Sequence, residues 1–281
     1  IEYGLMQLTA ECYHLLKEIG HCTNQELQHI FSEWNEGRLH SFLIEISAQI
    51  FGKADDLGSG KLIDQILDKA RQKGTGKWTS QNAMDLGIPV PTIDIAVSMR
   101  EISAMKSIRE KAEQAYPPRT AQPVDKAELI ELVESALYFG FIITYAQGMH
   151  QLQEASKEYG YQLDLATVAK IWRAGCIIRA ALLQDIAEAF SEANTPEHML
   201  LAPAFISKVK ETTGATRDVL KLAIQSGIPL PGISNALVYF DAFTSGRLPL
   251  NLVQAQRDFF GSHTYERLDR EGIFHTEWEV E

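Results

Sequence analysis

The sequence predicts an all-α fold, on three observations. Apolar residues recur at helical spacing along nearly the whole chain. Helix start and stop signals separate the periodic segments. No run alternates Val, Ile and Thr as a half-buried strand does. The first helix runs from Leu5 through Leu8, Cys12, Leu15, Leu16 and Ile19 on one face, and Gly20 stops it. Thr23-Asn24-Gln25-Glu26 is a capping box that opens the second helix through Trp34. Residues 39–51 make a third, with Leu43, Ile46, Ala48 and Ile50. Residues 61–73 make a fourth, with Leu62, Ile66, Leu67 and Ala70, and 78–86 a short fifth. Residues 91–116 read as one long helix carrying Ile95, Met99, Ile102 and Met105, which Pro117, Pro118 and Pro123 end. Residues 126–159 are the longest candidate, proline-free and of a length that suits the centre of a bundle.

Composition narrows the classes. The chain has 281 residues, 45% of them hydrophobic, enough for a large buried core. A net charge of −11 lacks the footprint of a nucleic-acid binder. Cys12, Cys22 and Cys176 are too few and scattered for a disulfide framework or a zinc site, so no metal is expected and a reduced, cytoplasmic setting fits. The uninterrupted apolar stretches are short for a membrane span, and no signal peptide opens the chain. Because the chain opens on Ile1 with a helical pattern already running, it reads as cut from something longer. A self-contained α/β nucleotide-binding domain is excluded, since it needs strands alternating with helices.

The chain also repeats itself once. Gly87 to Ile93 reads GIPVPTI and Gly227 to Ile233 reads GIPLPGI, 140 apart. Trp34 and Gly37 match Trp172 and Gly175. Gly4, Ala10, His14 and Leu16 match Gly140, Ala146, His150 and Leu152. Three blocks in one order point to a tandem duplication: a first unit over 1–124, a second over 125–260, and a tail over 261–281. Shared residues are most simply structural, with glycines for close helix approach and both tryptophans in the core. Residues unlike their counterparts, such as Glu2, Lys73, Thr75 and Arg100, are freer to carry chemistry.

One segment has the makings of a ligand site. Gln72-Lys73-Gly74-Thr75-Gly76-Lys77-Trp78-Thr79 combines two glycines, two lysines and a hydroxyl at a helix start, where backbone N–H groups favour anions. It is neither a P-loop nor a dinucleotide fingerprint, and spacing alone favours a flexible helix–helix connection with solvated lysines over a phosphate site. Arg257 and His263 flank Phe259, Phe260 and Gly261. They are placed either to meet one anion or to sit apart. Tyr265, Phe274 and Trp278 punctuate a polar tail of the kind that packs on a partner.

Taken together, Ile1-Glu2-Tyr3-Gly4, Met6-Gln7, the Lys73 to Thr79 run, Tyr145-Ala146-Gln147-Gly148, Trp172-Arg173, Gly175 to Arg179, and Gln254 to Asp258 with His263 to Glu266 resemble the decarboxylating 6-phosphogluconate dehydrogenases. The resemblance runs along essentially the whole chain. It implies the C-terminal all-helical domain of an NADP-dependent oxidoreductase of the pentose phosphate pathway. The Rossmann domain that binds NADP and the catalytic lysine would lie outside this chain. It further implies that Glu2 is the general acid, that Tyr3, Lys73, Thr75, Arg100 and Arg257 hold the phosphate of 6-phosphogluconate, and that His263 contacts substrate near that end. Arg257 and His263 would serve the other subunit of a homodimer. Lys77, Arg173 and Arg179 belong to the motifs but receive no ligand. The alternatives are another β-hydroxyacid dehydrogenase, disfavoured by the cationic phosphate set, and a non-catalytic helical interaction module.

Overall fold

The computed structural model describes residues 1–116, 123–191 and 195–278. Pro117 and Pro118 lie outside them. The described residues form α1 (Glu2–Glu18), α2 (Asn24–Glu36), α3 (Phe42–Gly52), α4 (Thr75–Leu86), α5 (Pro91–Ala104) and α6 (Lys106–Ala115). There follow α7 (Lys126–Tyr159), α8 (Leu165–Trp172), α9 (Leu182–Ser191), α10 (Pro203–Gln225), α11 (Pro231–Phe243) and α12 (Leu250–Gly261). Two short strands, β1 (Tyr265–Glu266) and β2 (Ile273–Phe274), pair antiparallel. The all-α expectation holds. The chain divides into two compact units, Ile1–Val238 and Tyr239–Glu281.

In the first unit α7 is the axis. Every residue from 136 to 149 is buried, so this helix is covered all round by its neighbours. Among the described residues α7 alone has the length and apolarity to cross a membrane, and 72% of its apolar window is buried inside the protein. Asp125 caps its start by accepting from the Glu128 N–H at 2.9 Å.

α1 crosses α7 closely because glycine stands at the crossing on both helices. A Cβ on Gly4 would lie 2.6 Å from Cγ2 of Thr144, and one on Gly140 would lie 2.9 Å from Cδ2 of Leu8. Each glycine and its neighbour match the other pair at a spacing of 136. The same reciprocity recurs elsewhere. The Phe42 N–H donates to the Arg179 carbonyl at 3.0 Å, and the Ala181 N–H donates to the His40 carbonyl at 2.8 Å. The buried Glu11 carboxylate accepts from the N–H groups of Gly232 at 2.6 Å and Ile233 at 2.9 Å, in the first turn of α11. Gln147 of α7 accepts from the Thr92 N–H at 3.1 Å, in the first turn of α5.

Three expectations are corrected. Residues 61–73 do not form a helix. They hold one 3₁₀ turn, Leu62–Gln65, and then irregular chain with Ile66 and Leu67 exposed. Side-chain bonds from the next helices hold this stretch instead. The Arg109 guanidinium pairs with Asp68 at 2.9 Å, and the Ala70 N–H donates to Ser103 Oγ at 2.9 Å. Residues 91–116 are two helices, not one. The Ser103 carbonyl accepts from the Arg109 guanidinium at 3.1 Å, and the chain turns at Met105. Trp172, expected in the core with Trp34, is only half-buried, whereas Trp34 is buried. Elsewhere the differences are at helix ends. Ser41 starts α3 by accepting from Ile44 N–H, and α4 begins at Thr75 rather than Trp78.

Glu11 gives the packing a pH dependence. Burial pushes its carboxyl up to about 7, against the pull of the Ile233, Gln7 and Gly232 donors. A folded pKa above the unfolded value means that stability falls as pH rises from about 4.5 to 7. The shift corresponds to ~3 kcal/mol over that window. Urea unfolding at pH 5 and pH 8 is therefore expected to show Glu11→Gln gaining on wild type by about that amount at the higher pH. An equal stability difference at both pH values would contradict the assignment.

Candidate functional site

A cleft of about 550 Å³ opens in the first unit, lined by Glu2, Thr75, Trp78, Gln151, Trp172 and Cys176 among others. Glu2 enters it from the first turn of α1 and is half-buried. Thr75 enters it from the first turn of α4. That turn exists because Gly74 adopts φ 103°, a left-handed conformation that a side chain strains, and so redirects the chain into the helix. No side chain caps this helix start, so its first-turn N–H groups have no side-chain partner.

Tyr3 lies behind this turn. Its buried ring presses on the backbone of Gly76, where a Cβ would fall 2.4 Å from two ring carbons. Only glycine lets α4 start against the tyrosine. The Arg100 guanidinium, from α5, stacks on the same ring with its carbon 3.5 Å from the centroid. It also donates to the Arg71 carbonyl at 2.9 Å. Lys73 is exposed in the same loop. Residues 71–77 carry Arg71, Lys73 and Lys77 with no acidic residue, so a local positive field stands on a chain of net charge −11.

The structure thus brings Glu2, Tyr3, Thr75 and Arg100 into one neighbourhood, with Lys73 on the same loop. Arg257 and His263 lie in the second unit, both exposed. Arg257 donates to Gln254 Oε1 at 3.0 Å. Gly261 makes room for the folded-back His263 ring, since a Cβ there would be 2.7 Å from two ring atoms.

The second unit is organised by Asp258, which sequence reasoning missed. It is fully buried. It accepts from the Thr264 N–H at 2.9 Å, the Thr276 N–H at 3.1 Å, His275 Nδ1 at 2.9 Å and Trp278 Nε1 at 2.8 Å. Burial opposes its ionisation, but these donors outweigh burial and hold the carboxyl well below the usual range. Tyr265, Phe274 and Trp278 gather beside it, so the tail folds back on α12 rather than standing free. No spacing rule connects position 258 to donors six to twenty residues on.

Residues 1–278 match the family described as 6-phosphogluconate dehydrogenase, C-terminal domain. The chain belongs to this family. It is 51% identical over 282 residues to the decarboxylating 6-phosphogluconate dehydrogenase of Lactococcus lactis subsp. lactis, covering 100% of this chain and 60% of that protein. It is 52% identical over 279 residues to the Escherichia coli enzyme of the same name, covering 99% and 59%. Among solved structures it resembles the 6-phosphogluconate dehydrogenase of Plasmodium falciparum, described in its apo form and in complexes with its cofactor NADP+ and its substrate 6-phosphogluconate. That match has a TM-score of 0.95 at 45% identity, over 99% of this chain and 60% of the other. The chain therefore spans about 60% of the length of the relatives it matches. Among the described residues there is no alternating strand–helix unit of the kind that binds dinucleotides. The two strands are of two residues each, and the Gly74–Gly76 turn follows irregular chain instead of a strand.

If Asp258 holds the tail, removing its charge should free the segment after α12. Asp258→Asn is expected to make residues 262–278 sensitive to limited proteolysis and to shift Trp278 emission, with helical circular dichroism nearly unchanged. Because the folded pKa is depressed, wild-type tail order should persist at pH 5 and fail only on acidification below about 4. A tail equally protected in the variant would overturn this role.

Proposed function

We propose that this chain is the substrate-binding and dimerisation domain of a cytoplasmic, NADP-dependent oxidative decarboxylase. The reaction converts 6-phosphogluconate to ribulose 5-phosphate, CO2 and NADPH. The observation that carries the reading is the shared cleft of Glu2 and Thr75, with Tyr3 and Arg100 stacked directly behind it. Lys73 and Arg100 make that neighbourhood cationic, which suits a phosphate, and Glu2 adds a carboxyl group to it.

NADP supplies the hydride acceptor, held by protein beyond this domain. The residues of this chain bind, orient and protonate. Lys73, Thr75, Arg100 and the Tyr3 hydroxyl hold the phosphate by charge-assisted hydrogen bonds, which fixes the far end of the sugar. Oxidation at C3 leaves a β-keto acid whose carbonyl takes up the charge as CO2 departs. The enediol is then protonated at C1, and Glu2, which lines the same cleft as Thr75, is the donor. The cationic set favours a phosphorylated substrate over the carboxylate-only substrates of other β-hydroxyacid dehydrogenases. We also read 1–124 and 125–260 as duplicated units. The reciprocal contacts of Gly4 with Thr144 and Gly140 with Leu8 support this. The segment 261–281 is then the tail. Arg257 and His263 reach the partner's site, consistent with their exposure.

Two measurements test this. In the full-length protein Glu2→Gln should lower turnover by ~10²–10⁴-fold with little change in substrate affinity. Near-wild-type turnover would make Glu2 a scaffold residue. For the shared site, Arg257→Ala should weaken substrate binding by roughly ten- to a hundred-fold. Assayed at substrate far below the raised KM of Arg257→Ala, mixing the two impaired proteins, with subunit exchange complete, should restore about a quarter of wild-type activity, because half the dimers are mixed and half of their sites are whole. No recovery would refute the trans arrangement.

A further inference from the structure

We propose that Gln147 is a positioning residue for the proposed substrate site: it fixes the first turn of α5 and thereby the register at which Arg100 meets Tyr3 and the ligand. The inference rests on the functional reading above, because it concerns the anion-binding arginine.

The geometry begins with a missing cap. α5 opens on Val90 and Pro91, and Val90 has no side chain to bond the first-turn N–H groups. The bond comes from another helix. Gln147, in the middle of α7, accepts from the Thr92 N–H at 3.1 Å, and its Nε2 donates to Thr92 Oγ1 at 3.0 Å. Gln147 and Thr92 are both 0% exposed, so neither touches a ligand. Arg100 stands eight residues beyond Thr92, about 12 Å along a continuous helix. At that far end the guanidinium is stacked on Tyr3 and bonded to the Arg71 carbonyl. α5 is thus a lever, held at its buried end by the Gln147 amide and by the packed Val90, Ile93 and Ala96, and delivering one cation at the other.

The neighbouring turn of α7 does the same for α4. Gln151 Nε2 donates to the Thr79 carbonyl at 3.0 Å and to Asn82 Oδ1 at 3.1 Å, in the helix whose first residue is Thr75. Gln151 also lines the cleft, so its loss would mix contact with positioning. Gln147 separates them. The matching place in α1 supports the role, since Glu11 likewise binds the first turn of another helix, accepting from the Gly232 and Ile233 N–H groups of α11.

The test is steady-state kinetics of the full-length protein with 6-phosphogluconate and NADP. Gln147→Leu keeps the volume and removes both bonds. Its KM for 6-phosphogluconate should rise by about ten-fold or more, with kcat within about three-fold of wild type and KM for NADP unchanged. Gln147→Glu in its protonated form, favoured at the low end of a pH 5–8 series, can accept from the Thr92 N–H and donate to its hydroxyl. It should return KM to within about three-fold of wild type. If Gln147→Leu does not fold, Thr92→Val removes only the hydroxyl partner and should move KM in the same direction by a smaller factor. Arg100→Ala is the control. If it leaves KM for 6-phosphogluconate unchanged, the substrate-site reading itself fails. If it raises KM while Gln147→Leu and Thr92→Val do not, or if kcat and both KM values shift together, the positioning role is overturned. So is it if Gln147→Glu fails to rescue.

Discussion

The crossing of α1 on α7 is the constraint from which the first unit is built. Two helix backbones approach only as closely as their side chains permit, and Gly4 and Gly140 remove the side chain where each meets its neighbour. With the axes that close, Glu11 and Gln147 reach past the crossing to the starts of α11 and α5. The crossing also sets where Glu2 stands, because Glu2 is in the first turn of α1, two residues before Gly4. A methyl group at either glycine would push on a fully covered helix that has no space to yield.

The two halves of the unit use similar parts for different ends. Gly74 and Gly214 stand 140 residues apart. Gly214 lies inside the continuous helix α10, where its backbone is ordinary and its N–H groups are spent on helical bonds. Gly74 is left-handed and begins a helix. The segment before it, 61–73, is irregular, whereas the matching stretch of α10 is helical. At this position the first half therefore starts a helix beside Lys73 and Lys77, whereas the second half continues one. Asymmetry in one segment, and not a new fold, opens the site.

The second unit solves a different problem. A short segment with two-residue strands has too little apolar area to hold itself, so it is tied to one buried charge. Asp258 gathers two backbone N–H groups, an imidazole and an indole, and the aromatic residues pack around that point. A carboxylate so surrounded is stable in its ionised form, and it substitutes for the core that the segment lacks.

The sequence by itself determined the helices, since period, caps and breakers act within a few residues. The Thr23–Glu26 capping box and the whole span of α7 are found where spacing placed them. It also exposed the internal matches and the glycine-rich turn with its charges. Where spacing failed, distant partners had decided. Residues 61–73 carry a helical pattern, but Arg109, Lys106 and Ser103 bind their polar groups. Met105 ends α5 because Arg109 takes a carbonyl there. Trp172 reads as core and lines a cleft. The packing roles of Glu11, Gln147 and Asp258 were silent in the sequence for one reason, although Gln147 and Asp258 stand in its motifs. A buried polar residue is recognised only by the donor it faces, and for Gln147 that donor is 55 positions away, for Glu11 more than 220. Local propensity shapes a segment, but satisfying a buried hydrogen bond is a property of the folded chain.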